Sequence, residues 1–490
     1  MGRVRLRHEK VGHGGAGMVE LVEQLGKIVG EDNVLTGTQI HDDYGHDEAL
    51  TSTAVVPLVL VKPGCTDEVA AVLKVADESR SPVIARGSGT GLSGASVPRA
   101  DGILVSFEKM NRILEIDTDN HVAVVQPGVT LEELDAETRK YGLVYPVFPG
   151  ENSASLGGNV ATNAGGMRAI KYGVTRHQVL ALEAVLAGGE VIRTGGKFVK
   201  SSTGYDLTQL IVGSEGTLAF VTEVTVKLYP RAAHASTILV PFGSLEEVTA
   251  AVPLIVASGA APMILEYIDM LTMAAITASA GLDLGIPQEV QKSAAAYLVV
   301  VLENAQEDRL DEDIGRLAEL LVGLGALEIY VLPQQAAGQL IGAREKAFFV
   351  AKAHGADDII DVVVPRAAIP QFLSTAAEVA ERHGTLVTGC GHVGDGNVHL
   401  SVFQPDAEKR AEVLRAIFRA GMELGGAISG EHGIGRAKKP YFQELEDPTK
   451  VALMARIKDA FDPHGILGPD VLFERSGDRA GRADREAGER

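Results

Sequence analysis

Short apolar runs alternate with stretches of helical periodicity along most of the chain. Residues 57–63 (PLVLVKP) and 81–87 (SPVIARG) are apolar runs bounded by turn formers, and each predicts a strand. Between them Val69, Val72, Leu73 and Ala76 recur at helical spacing. Thr66–Ser79 is therefore expected as an amphipathic helix, with Thr66 as its N-cap. A Gly-Ser-Glu-Gly turn at 213–216 precedes a predicted strand at 219–228. Residues 248–265 carry no charge, yet they contain Pro253, Gly259 and Pro262 and run directly into Glu266. That pattern predicts a buried helix followed by a strand, not a membrane span.

Glycine clusters thin out after Tyr229-Pro230, and longer helices then alternate with strands to about Gln371. The pattern predicts an α+β chain with a boundary near Arg231: one domain over 21–231, a second over 232–420, and a C-terminal segment over 421–473. Residues 1–20 and 474–490 lack apolar periodicity and are expected to be mobile.

Composition narrows the function. Of the 490 residues 56 are glycine, concentrated in discrete clusters, which points to tight backbone turns around a ligand. A formal charge of −20 argues against nucleic acid and against docking on anionic membranes. Cys65 and Cys390 are the only cysteines, so no disulfide framework is expected and a reducing cytoplasm fits. The first 18 residues have no apolar core of the secretory type.

Three segments carry the glycine. In RGSGTGLSG (86–94), glycines at 87, 89, 91 and 94 let backbone N–H groups converge on one anion, as at a pyrophosphate. It is not a Rossmann fingerprint, because neither a well-patterned helix nor a correctly spaced acidic residue follows. PGENSASLGGNVATNAGGMRAIKYG (149–173) is too small-sided for ordinary core and too uncharged for a linker, so it suits backbone wrapped on a flat ligand. The third segment, 202–228, holds the Gly-Ser-Glu-Gly turn.

A second kind of chemistry lies in GCGHVGDGNVHLSVF (389–403). With GDGN at 394–397 as a hairpin turn, Val393 pairs with Val398 and His392 opposes His399 on one face. Two opposed imidazoles can chelate a divalent cation, or they are simply two structural histidines. ISGEHGIGR (428–436) adds Glu431 and His432 between glycines, and two histidines with a carboxylate form a common divalent site.

Together these segments resemble the FAD-linked oxidases and dehydrogenases of the vanillyl-alcohol oxidase and p-cresol methylhydroxylase type, in the branch of the glycolate oxidase D subunit and D-lactate dehydrogenase. The resemblance runs from about Val56 to Phe473. It implies a two-domain, PCMH-type FAD-binding fold with an α+β cap domain, and a C-terminal segment that returns to the flavin. It implies that Arg86, Gly87, Ser88, Gly89, Thr90, Gly91 and Ser93 hold the pyrophosphate. Pro149, Gly150, Ser153, Gly157, Gly158, Asn163, Gly165 and Gly173 would line the isoalloxazine and ribityl chain, and Glu215, Gly216 and Glu223 the nucleotide side. It also implies His392, His399 and Glu431 as ligands of a divalent metal, zinc or manganese, with His432 as catalytic base.

The reaction so implied is oxidation of a small D-2-hydroxy acid, D-lactate or glycolate, with hydride transfer to flavin N5. Arg344 is the expected carboxylate clamp, because guanidinium binds carboxylate bidentately. Ser401 shares the face of His399 two residues on. No His or Cys stands within 86–94, so FAD is expected to be non-covalent. Phe348 and Ile359 stand where D-2-hydroxyglutarate dehydrogenases carry Thr and Lys, which disfavours a dicarboxylate and leans towards lactate, glycolate or a longer apolar hydroxy acid. The family's Asn-Pro-Gly is Gly468-Pro469-Asp470 here, which puts one flavin contact in doubt. The electron acceptor is left open among a quinone, an electron-transfer flavoprotein, a cytochrome and partner subunits, as are a homodimer and a peripheral membrane position. A non-catalytic FAD subunit or a flavin-dependent alkyl transferase would share the fold, and loss of flavin colour with D-lactate separates them from a dehydrogenase.

Overall fold

A computed structural model describes residues 15–473 of the chain. The two apolar runs around the first amphipathic helix become the strands Val59–Val61 and Val83–Arg86, both parallel to Ile103–Ser106 between them. The helix is Thr66–Ser79, with Val69, Val72, Leu73 and Ala76 buried. Its N-cap, however, is Cys65, not Thr66. Thr66 is already helical, and its hydroxyl donates to the buried carboxylate of Glu183 at 2.5 Å, whereas an N-cap hydroxyl accepts from a backbone N–H.

A helix over Gly15–Val29 corrects the N-terminal expectation, since residues 15–20 are helical. Leu21, Leu25 and Val29, at four-residue spacing, bury against the first sheet. The rest of that expectation, and the expected mobile tail at 474–490, lie outside the described residues.

The second sheet has five antiparallel strands, with Phe220–Lys227 at its centre between Val122–Val125 and Val179–Val185. The third has seven, ordered Tyr330–Leu332, His234–Phe242, Ala296–Asn304, Ile264–Asp269, Leu386–Gly391, Asn397–Phe403, Asp358–Val363. The uncharged stretch 248–265 falls mostly in the helix Leu245–Ala257 and runs into the strand Ile264–Asp269. Among the described residues no helix is long and apolar enough to cross a membrane.

Strand alternation in the third sheet positions the chemistry. Val398, Leu400 and Val402 enter the core under the helices Ile369–Arg382 and Ala407–Glu423. Each such burial contributes roughly 1.5–3 kcal/mol, so the face of the strand is firmly set. His399, Ser401 and Phe403 are thereby turned to the opposite face. On that face Ile264 packs with Met167 of the glycine-rich segment. At the far end of the chain, Ile466 and Leu467 return to the core of the first sheet.

Candidate active site

The histidine hairpin differs in register from the sequence expectation. Cys390, not His392, lies opposite His399, and the turn spans 392–396. The His392 carbonyl accepts the N–H groups of Asp395, Gly396 and Asn397, which makes a longer loop than GDGN alone. This is a two-residue slip, and a two-residue slip keeps every side chain on its face. The imidazoles therefore still meet, with ring centroids 4.8 Å apart.

Glu431 completes the group. Its Oε1 is 3.2 Å from His392 Nε2 and 3.2 Å from His399 Nε2. A Cβ on residue 165 would fall 2.7 Å from Glu431 Oε2, so Gly165 is the gap that admits this carboxylate. The second face of His392 is taken by Glu266, whose Oε1 lies 2.5 Å from Nδ1. Glu266 Oε2 lies 2.6 Å from Arg344 Nη2, so one fully buried carboxylate bridges His392 and the expected clamp.

Asp361 shapes the other side. It lies beside His399 across Asp358–Val363 and accepts the N–H groups of Gly430, Glu431 and His432 at 3.1, 3.1 and 2.8 Å. Ser429 Oγ and Asn397 Nδ2 donate to it as well. Burial opposes its charge, but His432, Lys438 and His399 outweigh that and hold it well below the usual carboxylate range. The His432 ring stacks on His399 with centroids 5.0 Å apart. Burial pushes His432 down to about 4, so it is neutral across the neutral range and keeps a lone pair. Burial also opposes charge on His392, but Glu266 and Glu431 outweigh it and push it up to about 10.

Two cavities meet here. The larger is lined by Gly87, Ser88, Gly89, Thr90, Gly91, Ser93, Pro149, Gly157, Gly158, Glu215 and Gly216, and it ends on Glu431 and His432. The smaller is lined by Pro149, Gly150, Arg344, His392, His399 and Ser401, and it too reaches Glu431 and His432. These two side chains keep 10% and 11% of their area exposed, which is the opening onto both cavities. Glu215 is pushed up to about 7 by burial and accepts the N–H groups of Ile434 and Gly435 at 2.8 and 2.7 Å.

Six of the expected residues stand off the cavity walls, Gly165 among them at the back of Glu431. Arg86 lies behind the glycine turn, donating to the His46 carbonyl at 2.6 Å, because the turn presents its backbone and not this side chain to the cavity. Ser153 donates to Glu151, and Asn163 caps the helix Leu156–Thr162 while accepting the Arg176 N–H. Gly173 ends the short helix Ala169–Tyr172, and Glu223 lies opposite Glu183 in the second sheet. Sequence reasoning gave Ser155, Asn159 and Glu266 no role in the site. Ser155 Oγ accepts from Ser88 N and Gly158 N on the cavity wall, and its signal is an N-cap position ahead of the Gly pair. The signal for Glu266 is a lone charge ending an uncharged run.

The larger cavity fits a polar-edged cofactor such as FAD. Asp47 Oδ2, Ser93 Oγ, Ser96 Oγ and Asn159 Nδ2 are buried without protein partners, and all four residues line it. The donor set His392, His399 and Glu431 fits a divalent cation: two imidazole nitrogens and a carboxylate oxygen within 4.8 Å of one another.

The fold matches the structure of p-cresol methylhydroxylase with substrate bound at a TM-score of 0.78 and 18% identity, covering 94% of this chain and 98% of that one. Residues 57–195 match the family described as FAD binding domain, and residues 231–472 match FAD linked oxidases, C-terminal domain. The chain belongs to the FAD-linked oxidases and is an FAD-linked oxidoreductase, as the sequence resemblance implies. An uncharacterized FAD-linked oxidoreductase of Mycobacterium tuberculosis is 58% identical over 456 residues, 93% of this chain and 99% of the relative. A D-lactate dehydrogenase of Anaerostipes hadrus is 36% identical over 464 residues, 92% and 97% of the two chains.

Proposed function

We propose that the protein oxidises the carbinol carbon of a D-2-hydroxy acid, of the class that holds D-lactate and glycolate, to the 2-oxo acid. One observation carries this reading: Glu431 and His432 stand where the cofactor-sized cavity and the smaller, partly apolar cavity meet. The similarity to a D-lactate dehydrogenase supports the same class. Gly87 to Ser93, Ser155, Gly157, Gly158, Asn159 and Glu215 would hold FAD, and His392, His399 and Glu431 would hold a divalent metal. When bound, FAD supplies a two-electron acceptor for the carbinol hydrogen and its electron pair, and the metal supplies Lewis acidity at the substrate oxygens.

Charge supports the metal assignment. Glu266, Glu431 and Asp361 are all held anionic, against two fixed cations, Arg344 and Lys438. The excess charge is met by a proton on His392, or by a cation that replaces that proton.

His432 receives the hydroxyl proton. Its Nδ1 is buried 3.9 Å from Asp361, which leaves Nε2 for the cavity, and the Asp361 carboxylate stabilises the imidazolium that forms. Arg344 orients the substrate carboxylate, with Glu266 fixing the guanidinium on its other edge. Pro149 and Leu92 lie on the walls of both cavities and keep bulk water from the junction.

The test is anaerobic mixing of holoenzyme with D-lactate and with glycolate, following flavin absorbance, before and after removal of metal by EDTA. Bleaching that stops with EDTA and returns with Mn²⁺ or Zn²⁺ is expected. Flavin that stays oxidised with every 2-hydroxy acid of either hand would overturn the reading.

A further inference from the structure

The smaller cavity extends well beyond the reacting groups. His399, Ser401 and Phe403 face it from successive positions of Asn397–Phe403, so that wall runs roughly 13 Å at a strand's usual rise. The wall changes character along its length. Next to His399 it is ionisable; Ile359, paired directly with Ser401, begins an apolar stretch that Phe403 continues. Ala275 of the helix Met270–Ala280 and Phe348 of the helix Ala347–Ala353 close the facing side with further apolar surface.

Charge on this arm is as informative. Among the described residues no lysine lines the cavity, and Arg344, the one arginine there, is at the reactive end against Glu266. Outside the reactive cluster the ionisable groups on the wall are Glu345, His354 and Cys390, none of them a fixed cation. A second carboxylate on a substrate would be desolvated there with hydroxyls but no fixed cation to meet its charge, which is costly. A two-carbon or three-carbon acid would leave the arm filled with water against apolar walls.

We propose that the substrate is a monocarboxylic 2-hydroxy acid bearing an extended apolar chain, aliphatic or arylalkyl, laid between Ile359, Phe348 and Ala275. This rests on the oxidation proposed above and narrows its substrate. Each methylene buried on the arm strengthens binding at the transition state by about fourfold.

The experiment is a series on the holoenzyme: glycolate, D-lactate, D-2-hydroxybutyrate, D-2-hydroxyhexanoate and D-2-hydroxyglutarate, comparing kcat/KM for flavin reduction. The expected result is a rise of about fourfold per methylene, hence roughly 60-fold from lactate to hydroxyhexanoate, with hydroxyglutarate poorest among the longer acids. Unreactive acids from acetate to hexanoate, read by perturbation of the flavin spectrum, should follow the same trend in Kd. Ala275→Phe should fill the arm and bring the hexanoate-to-lactate ratio down to about one. If that variant does not fold, Phe348→Ala should lower the same ratio by removing wall. A flat or falling series, as an access channel alone would give, or preference for hydroxyglutarate, would overturn this inference and leave the oxidation standing. Absence of flavin reduction by every acid would overturn the oxidation itself.

Discussion

The two cavities that meet at Glu431 and His432 are built by opposite means. The larger is walled mostly by backbone and small side chains, and four of its side-chain polar atoms, on Asp47, Ser93, Ser96 and Asn159, have no protein partner. The smaller is walled by large apolar side chains and closed by charges that already pair: Glu266 with His392 and Arg344, Asp361 with three backbone amides. A backbone cradle recognises shape and anionic oxygen; a charged cluster depends on each member. Damage to the first should therefore appear as lost flavin, and damage to the second as lost chemistry in flavin-loaded protein.

His432→Ala gives the sharpest contrast. Reduction of bound flavin should slow by about 10²–10⁴-fold, the usual range for removing a general base, while flavin content stays at the wild-type level. Stopped-flow absorbance and the ratio of visible to ultraviolet absorption measure the two. Equal loss of both would break the distinction.

Glu266→Ala should cost about 3–5 kcal/mol of stability by leaving Arg344 and His392 buried without their shared carboxylate. Metal affinity should also fall by roughly 10–100-fold, since an outer partner of a ligand is lost. Denaturant midpoints and metal titration check each part. A stable variant with intact metal binding would show that the bridge is dispensable.

The next test lies on the flavin side. Glu215 is raised from 4.5 to about 7, so flavin-free folded protein holds a proton there that the unfolded chain has released. Stability should fall as pH rises from about 4.5 to 7, with a loss on the order of 3 kcal/mol complete above that window. Glu215→Gln should flatten this slope in denaturation curves taken across the range.

Ser155→Ala should have the smallest effect. It removes a cap worth about 1 kcal/mol from Leu156–Thr162 and loosens the Ser88 turn. Flavin affinity should drop while the rate constant for reduction of flavin still bound is unchanged, and a slower rate constant would contradict the separation of the two regions.

Local periodicity made the first strands and helix legible in the sequence, because Val69, Leu73 and their neighbours answer to one face. The facing of His392 and His399 was legible for the same reason. Their exact register was not, because the His392 carbonyl gathers three amides that no spacing rule announces. Glu266 escaped notice because its imidazole partner is 126 residues away. Arg86 and Glu223 sit within the right segments but point elsewhere, and a motif in one dimension carries no direction for its side chains. Chemistry written in neighbouring residues can be read from a sequence; chemistry assembled across strands cannot.

The 429–436 segment also sets an order of assembly. It is made after both of its partners, and its amides satisfy carboxylates 219 residues earlier at Glu215 and 71 residues earlier at Asp361. Until it docks, Glu215 lacks the Ile434 and Gly435 amides and Asp361 keeps Asn397 but lacks Ser429 and three amides, at a cost of about 1–3 kcal/mol or more each if they are buried. The flavin cradle can thus gain its sheets early in synthesis but not its final wall. Cofactor capture then waits on this segment, and a nascent chain halted before residue 429 would present an open, unclasped groove to chaperones and proteases.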